Sequence, residues 1–168
     1  ARWLPIGNAY LEAGKFKNPL FTPQGTAMLW DGDWRPEGFN AGWNSDNFFA
    51  TGLVNWLESD SKSSNEEVAW GIQGGLKFDI AGANLVTAVG YYDIPVKGNA
   101  SYYDDSFFGN SVVVNNGVDV YEYDYELLEL SAQLVMSLFE QPLSIYGDYV
   151  QNQDPDDYNT GWLAGIML

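Results

Sequence analysis

Cysteine and histidine are both absent from the 168 residues of this chain. Without thiols, neither a disulfide framework nor a thiolate metal site can be built. Without imidazoles, the Ser-His-Asp and Cys-His arrangements and His-ligated metals are excluded too, which leaves carboxylate chemistry or a Lys or Tyr nucleophile. Basic residues are scarce. Lys and Arg number 7 against 23 Asp and Glu, a formal charge of −16, so a nucleic-acid partner would be repelled. No apolar run approaches the roughly 18 residues of a membrane-crossing helix, and the opening residues do not read as a basic stretch followed by an apolar one. Membrane strands stay open as a possibility, because they are short alternating segments that hydropathy overlooks.

What is abundant points to strands. The chain holds 18 Gly, 7 Trp, 11 Tyr and 9 Phe, a balance suited to β-structure and tight turns. The clearest stretch is "VAWGIQGGLKFDI", Val68 to Ile80. Taken with a period of two, Val68, Trp70, Ile72, Leu76, Phe78 and Ile80 share one face, and Gln73, Lys77 and Asp79 share the other. "YELLELSAQLVMSL" repeats the pattern: Leu128, Leu130, Leu134 and Met136 oppose Glu129, Ser131 and Gln133. Further strands are expected in "NAYLEAGKF", "GFNAGW", "NFFATGLVNWLE", "LVTAVGYYD", "LSIYGDYVQN" and "GWLAGIML". That makes about eight strands in a single domain spanning 1–168, with long loops at about 17–37 and 94–124.

The connections alternate in length. Short turns are expected near Asn44, at Ala81 to Asn84 and at Phe139 to Pro142, and longer links between them, the polar run "SDSKSSNEE" among these. All short turns then fall at one end of the sheet, the habit of an outer-membrane barrel. The two longest strands exceed the five or six residues usual in globular proteins and suit the roughly nine to eleven of a tilted membrane strand. On this parity Trp70, Ile72, Leu76, Phe78, Leu128, Leu130 and Leu134 would face lipid. Glu12, Gln73, Lys77, Asp79, Glu129 and Asp148 would face a watery interior. Trp70, Phe78, Tyr91 and Tyr149 would supply interfacial aromatic belts.

The segment "AGKFKNPLFTPQGTAMLWDGDWRPEGF", Ala13 to Phe39, together with "GDYVQN" and "GWLAGI" further on, resembles a porin family of Gram-negative outer membranes. That family's signature is a strand ending in Gly-Lys/Arg-Phe/Met-Lys-Asn-Pro, followed by Trp-Asp-Gly-Asp and Pro-Glu-Gly. The resemblance implies an antiparallel transmembrane β-barrel of about sixteen strands, possible assembly as a homotrimer, and passive diffusion of small hydrophilic solutes. With about eight strands and no terminal aromatic after "GIML", the chain is expected to be an internal part of such a barrel.

A pore needs a constriction and no catalytic residue. The loop from Lys17 to Glu37 is a candidate to fold inward, with Asp31, Asp33, Arg35 and Glu37 close together and Lys15 and Lys17 at its start. Such an arrangement could set a transverse field with cation preference. The competing reading has the loop close on itself outside, with Trp30 and Trp34 packed over the rim. Partners would be outer-membrane lipid and lipopolysaccharide, small hydrophilic solutes and cations; no cofactor is expected. The acidic loop "DPDDYN" lacks the order of an EF-hand loop, so solvated surface is the ordinary expectation for it. Three other function classes compete, a purely structural or adhesive barrel being one of them, which sequence does not separate from a channel. Another is a soluble β-sandwich that stacks carbohydrate on Trp30, Trp34 or Trp43. The third is a barrel enzyme with Asp31 and Asp33 as paired acid and base, a narrow option without His or Cys.

Overall fold

The computed structural model of the chain describes residues 1–4, 7–26, 28–57, 67–102 and 106–168. Its strands are β1 (Arg2–Trp3), β2 (Ala9–Lys15), β3 (Glu37–Asn44), β4 (Phe48–Trp56), β5 (Val68–Ile80), β6 (Ala83–Ile94), β7 (Val112–Asn115), β8 (Val118–Tyr121), β9 (Tyr125–Leu138), β10 (Gln141–Asn152) and β11 (Thr160–Met167). Nine of them form one antiparallel sheet in the order β1-β2-β3-β4-β5-β6-β9-β10-β11; β7 and β8 form a separate hairpin. The protein is therefore all-β. The sheet does not close into a barrel within this chain, since β1 and β11 each pair on one side only. Eight of the nine strands match the expected segments, and β5 and β9 match residue for residue.

Three tight turns lie at one end. Ser45 to Asn47 joins β3 to β4, Ala81 and Gly82 join β5 to β6, and Phe139 and Glu140 join β9 to β10. The last two pairs all take positive φ, between 50° and 84°, as the right-handed twist of a two-residue hairpin requires. The first turn sits one residue later than expected: Ser45 carries the tight bond, its N–H donating to the Phe48 carbonyl at 2.9 Å. The long connections lie at the opposite end, and "SDSKSSNEE" falls outside the described residues apart from its last Glu67. The second excursion is not a plain loop. It contains the β7–β8 hairpin, turning on Asn116 and Gly117, the strongest two-residue hairpin pair in the chain.

The two faces of the sheet differ as the period of two demands. One is covered: the connection from Phe16 to Pro36 lies over it, and Leu20, Leu53, Tyr92, Leu127 and Val150 form its buried cluster, with Trp30 and Trp34 packed against them. The other is open. Trp70, Ile72, Leu76, Phe78, Leu128 and Leu130 stand on it, all exposed, and Leu134 is half-buried between cross-strand neighbours Leu85 and Ile145. Phe39, Val54, Val89, Ile145, Trp162 and Ile166 extend this apolar surface across the sheet.

Candidate functional site

The covered face places polar side chains where a soluble core would hold apolar ones. Asn40, Thr51, Asn55, Gln73, Glu129, Ser131, Ser144, Asp148 and Asn152 are all buried there. Register explains how they meet. Gly90 on β6 stands between Gln73 on β5 and Glu129 on β9 in one cross-strand row. A Cβ on Gly90 would sit 2.3 Å from the Tyr92 hydroxyl, so glycine leaves the gap that the Tyr92 ring fills. The hydroxyl donates to Glu129 Oε2 at 2.6 Å, and Gln73 Nε2 lies 3.2 Å from the hydroxyl and 3.3 Å from the same carboxylate oxygen.

The loop is seated on this row. Phe21 N–H donates to Gln73 Oε1 at 2.7 Å and the Phe21 carbonyl accepts from Gln73 Nε2 at 2.9 Å, so one amide reads both backbone groups and its orientation is fixed by them. Three residues on, Gln24 N–H donates to Gln133 Oε1 at 2.8 Å, while Gln24 Oε1 accepts from Gln133 Nε2 at 2.8 Å and from Ser144 at 3.0 Å. Each clamp also satisfies polar backbone that would otherwise be stranded on a buried surface. Further along, Trp30 and Trp34 stack at 4.3 Å, and Trp30 meets the Tyr92 ring edge-on at 5.1 Å. The loop thus lies on the covered face at Phe21 and Gln24 and packs Trp30 and Trp34 against Tyr92 further along.

The residues expected at a constriction are only partly brought together. Gln73, Glu129 and Asp148 share the buried region of the covered face, and Glu12 hydrogen-bonds Asn40 nearby at 3.3 Å. Lys15, Lys17, Asp31, Asp33, Arg35 and Glu37 are all exposed. Among the described residues the single ion pair is Lys97 with Asp154, so none of these six residues forms a salt bridge with another. Asp31 caps the Asp33 N–H, and Arg35 donates to the Trp34 carbonyl, which are local loop contacts. The segment that crosses the covered face runs from Leu20 to Gln24 and carries no charge, because seating a charged side chain on a buried surface without a partner is costly. Lys77 and Asp79 belong to the turns: Lys77 donates to Asn44 Oδ1 and the Ser45 carbonyl, and Asp79 accepts from Gly82 N–H.

Tyr92 and Gln24 are not expected as site residues from the sequence, and Gln133 and Ser144 are expected only as part of the polar face. Gln133 shares the parity of Glu129 on β9 and Ser144 that of Asp148 on β10, so both were legible as polar-face residues, but their partner Gln24 lies in the loop, where no periodicity points to it. At the long-loop end a cavity of about 640 Å³ opens between Trp30, Trp34, Tyr125, Asn152 and Tyr158. Neither a family model, a curated protein nor a solved structure matches this chain.

Proposed function

We propose that the chain forms part of the wall of an outer-membrane β-barrel porin, with the open face against lipid and the covered face toward a water-filled lumen narrowed by the Leu20–Gln24 crossing. The observation that carries this reading is the pairing of opposite faces on one sheet. One is apolar and unpartnered from β2 to β11; the other is polar and crossed by a loop. Strand length agrees: β5, β6, β9 and β10 run 13, 12, 14 and 12 residues, enough for the roughly nine to eleven of a tilted span. At the edge of the apolar face Trp70 Nε1 donates to Asp93 at 3.0 Å, an amphipathic ring with its polar end tied to a charged group, which suits a membrane interface.

The unpaired edges of β1 and β11 mean that closure calls for further strands or further copies, consistent with a larger barrel and with trimers. Solutes would be small and hydrophilic, and the formal charge of −16 favours cations. Lipid and lipopolysaccharide would surround the wall. A carbohydrate-binding sandwich would need a second sheet packed on the first, and among the described residues the apolar face carries none. The test is planar-bilayer conductance of the protein containing this chain, under a salt gradient. Discrete cation-favouring steps are expected; silence from protein shown to be folded and inserted rejects an open porin.

A further inference from the structure

Two carboxylates lie buried on the covered face with no cation beside them. Glu129 is 1 % exposed and Asp148 is 5 % exposed, and among the described residues the only ion pair lies elsewhere, at Lys97 and Asp154. Asp148 pairs with Ser131 in the β9–β10 register and Glu129 with Val150, so the two acids are diagonal neighbours on one face, about 7 to 8 Å apart at the backbone and within reach of each other's side chains.

The hydrogen bonds in this region are lopsided. Glu129 Oε2 accepts from Tyr92 and lies within range of Gln73 Nε2, donors that suit an ionised carboxylate. Asp148 Oδ1 and the Ser131 hydroxyl, 5 % exposed, are both buried without a hydrogen-bond partner. Buried oxygens are normally partnered, and two carboxylates buried side by side without a cation are costly whenever both are ionised. A group that accepts electron density from several oxygens at once would answer both deficits. A hard divalent cation does so, since it takes carboxylate and hydroxyl oxygens, cancels two negative charges and completes its shell with water.

We propose that Glu129, Asp148 and Ser131 form a binding site for one hard divalent cation of the calcium type. The site ties β9 to β10 beneath the loop crossing, and through Gln73, which touches both Glu129 and Phe21, it adjoins the clamp that seats the loop. It does not depend on whether the barrel conducts.

The probe is terbium ion added to the folded protein in detergent, with emission sensitised through nearby Tyr92 and Trp30 and displaced by calcium. Saturable emission with one ion per chain is expected, weakened at least tenfold in Asp148→Asn and in Glu129→Gln, and unchanged when Asp31 and Asp33 are both replaced by Asn. Ser131→Ala keeps both acids and guards against misfolding as the cause; it should still weaken binding severalfold. Emission that survives Asp148→Asn and Glu129→Gln would assign the ions to surface acids and overturn the site. Absence of saturable emission from the folded parent would overturn it as well, leaving a proton between the two acids in place of a metal.

Discussion

Tyr92 reaches Glu129 across a position that has no side chain. Gly90 is the partner of Glu129 in the row from β5 to β9, and the Tyr92 ring, two residues along the same strand, leans over it to place its hydroxyl 2.6 Å from Glu129 Oε2. The same hydroxyl lies beside Gln73, whose amide holds the loop backbone at Phe21. One aromatic side chain therefore links sheet register, a buried charge and the seating of the loop.

Removing only the hydroxyl isolates that link. Tyr92→Phe keeps the ring over Gly90 and leaves Glu129 Oε2 with Gln73 Nε2 alone, and losing one donor to a buried acceptor costs about 1 to 3 kcal/mol. Equilibrium unfolding in urea should show a loss of that size. A neutral result would mean that water replaces the hydroxyl without penalty.

Gly90→Ala tests the packing side of the same arrangement. Its Cβ would fall 2.3 Å from the Tyr92 hydroxyl and 2.7 Å from the ring carbon that bears it, so the ring has to move. Overpacking of this kind costs about 1 to 3 kcal/mol. Because both substitutions disturb one contact, the double variant Gly90→Ala, Tyr92→Phe should lose less than the sum of the two, and strict additivity in the unfolding measurement would reject the shared mechanism.

Much of this arrangement lay beyond one-dimensional reading, for identifiable reasons. The period of two located β5 and β9 and put Trp70 and Gln73 on opposite faces, since strand parity needs no knowledge of neighbours. That Gly90 separates Gln73 from Glu129 depends on registers set by two different turns, which parity alone does not supply. The β7–β8 hairpin was legible in "VVVNNGVDVY", where Asn116 and Gly117 carry a strong turn signal, yet the Asn- and Gly-rich surroundings masked it. The charged part of the first loop drew attention as a constriction. The uncharged Leu20–Gln24 part makes the crossing, because backbone clamped by glutamine amides can be buried at less cost than Asp or Arg.

The glutamine clamps predict how the loop can be released. Gln73→Ala with Gln133→Ala removes the side chains that hold Phe21 and Gln24, leaving the loop to its apolar contacts at Leu20 and Trp30. Tryptic cleavage after Lys17, exposed at the start of the connection and three residues before the crossing, should quicken severalfold. On the porin reading, single-channel conductance should rise in the same variant. Unchanged cleavage would place the seating of the loop in its apolar contacts alone.

The open face supplies the sharpest contrast between membrane and water. Leu130 is 51 % exposed near the middle of β9, so in aqueous solution Leu130→Lys would be a surface change of small effect, within about 0.5 kcal/mol. If lipid covers that position, placing a charge near mid-bilayer on a barrel wall costs about 2 to 4 kcal/mol. Reversible unfolding from lipid vesicles should show the larger loss for Leu130→Lys. Thr87→Lys also lies on the open-face parity of β6, but closer to the short-turn end, and should lose less as depth decreases. Equal, small losses at both positions would mean that water and not lipid bathes the face carrying Trp70, Ile72 and Leu76.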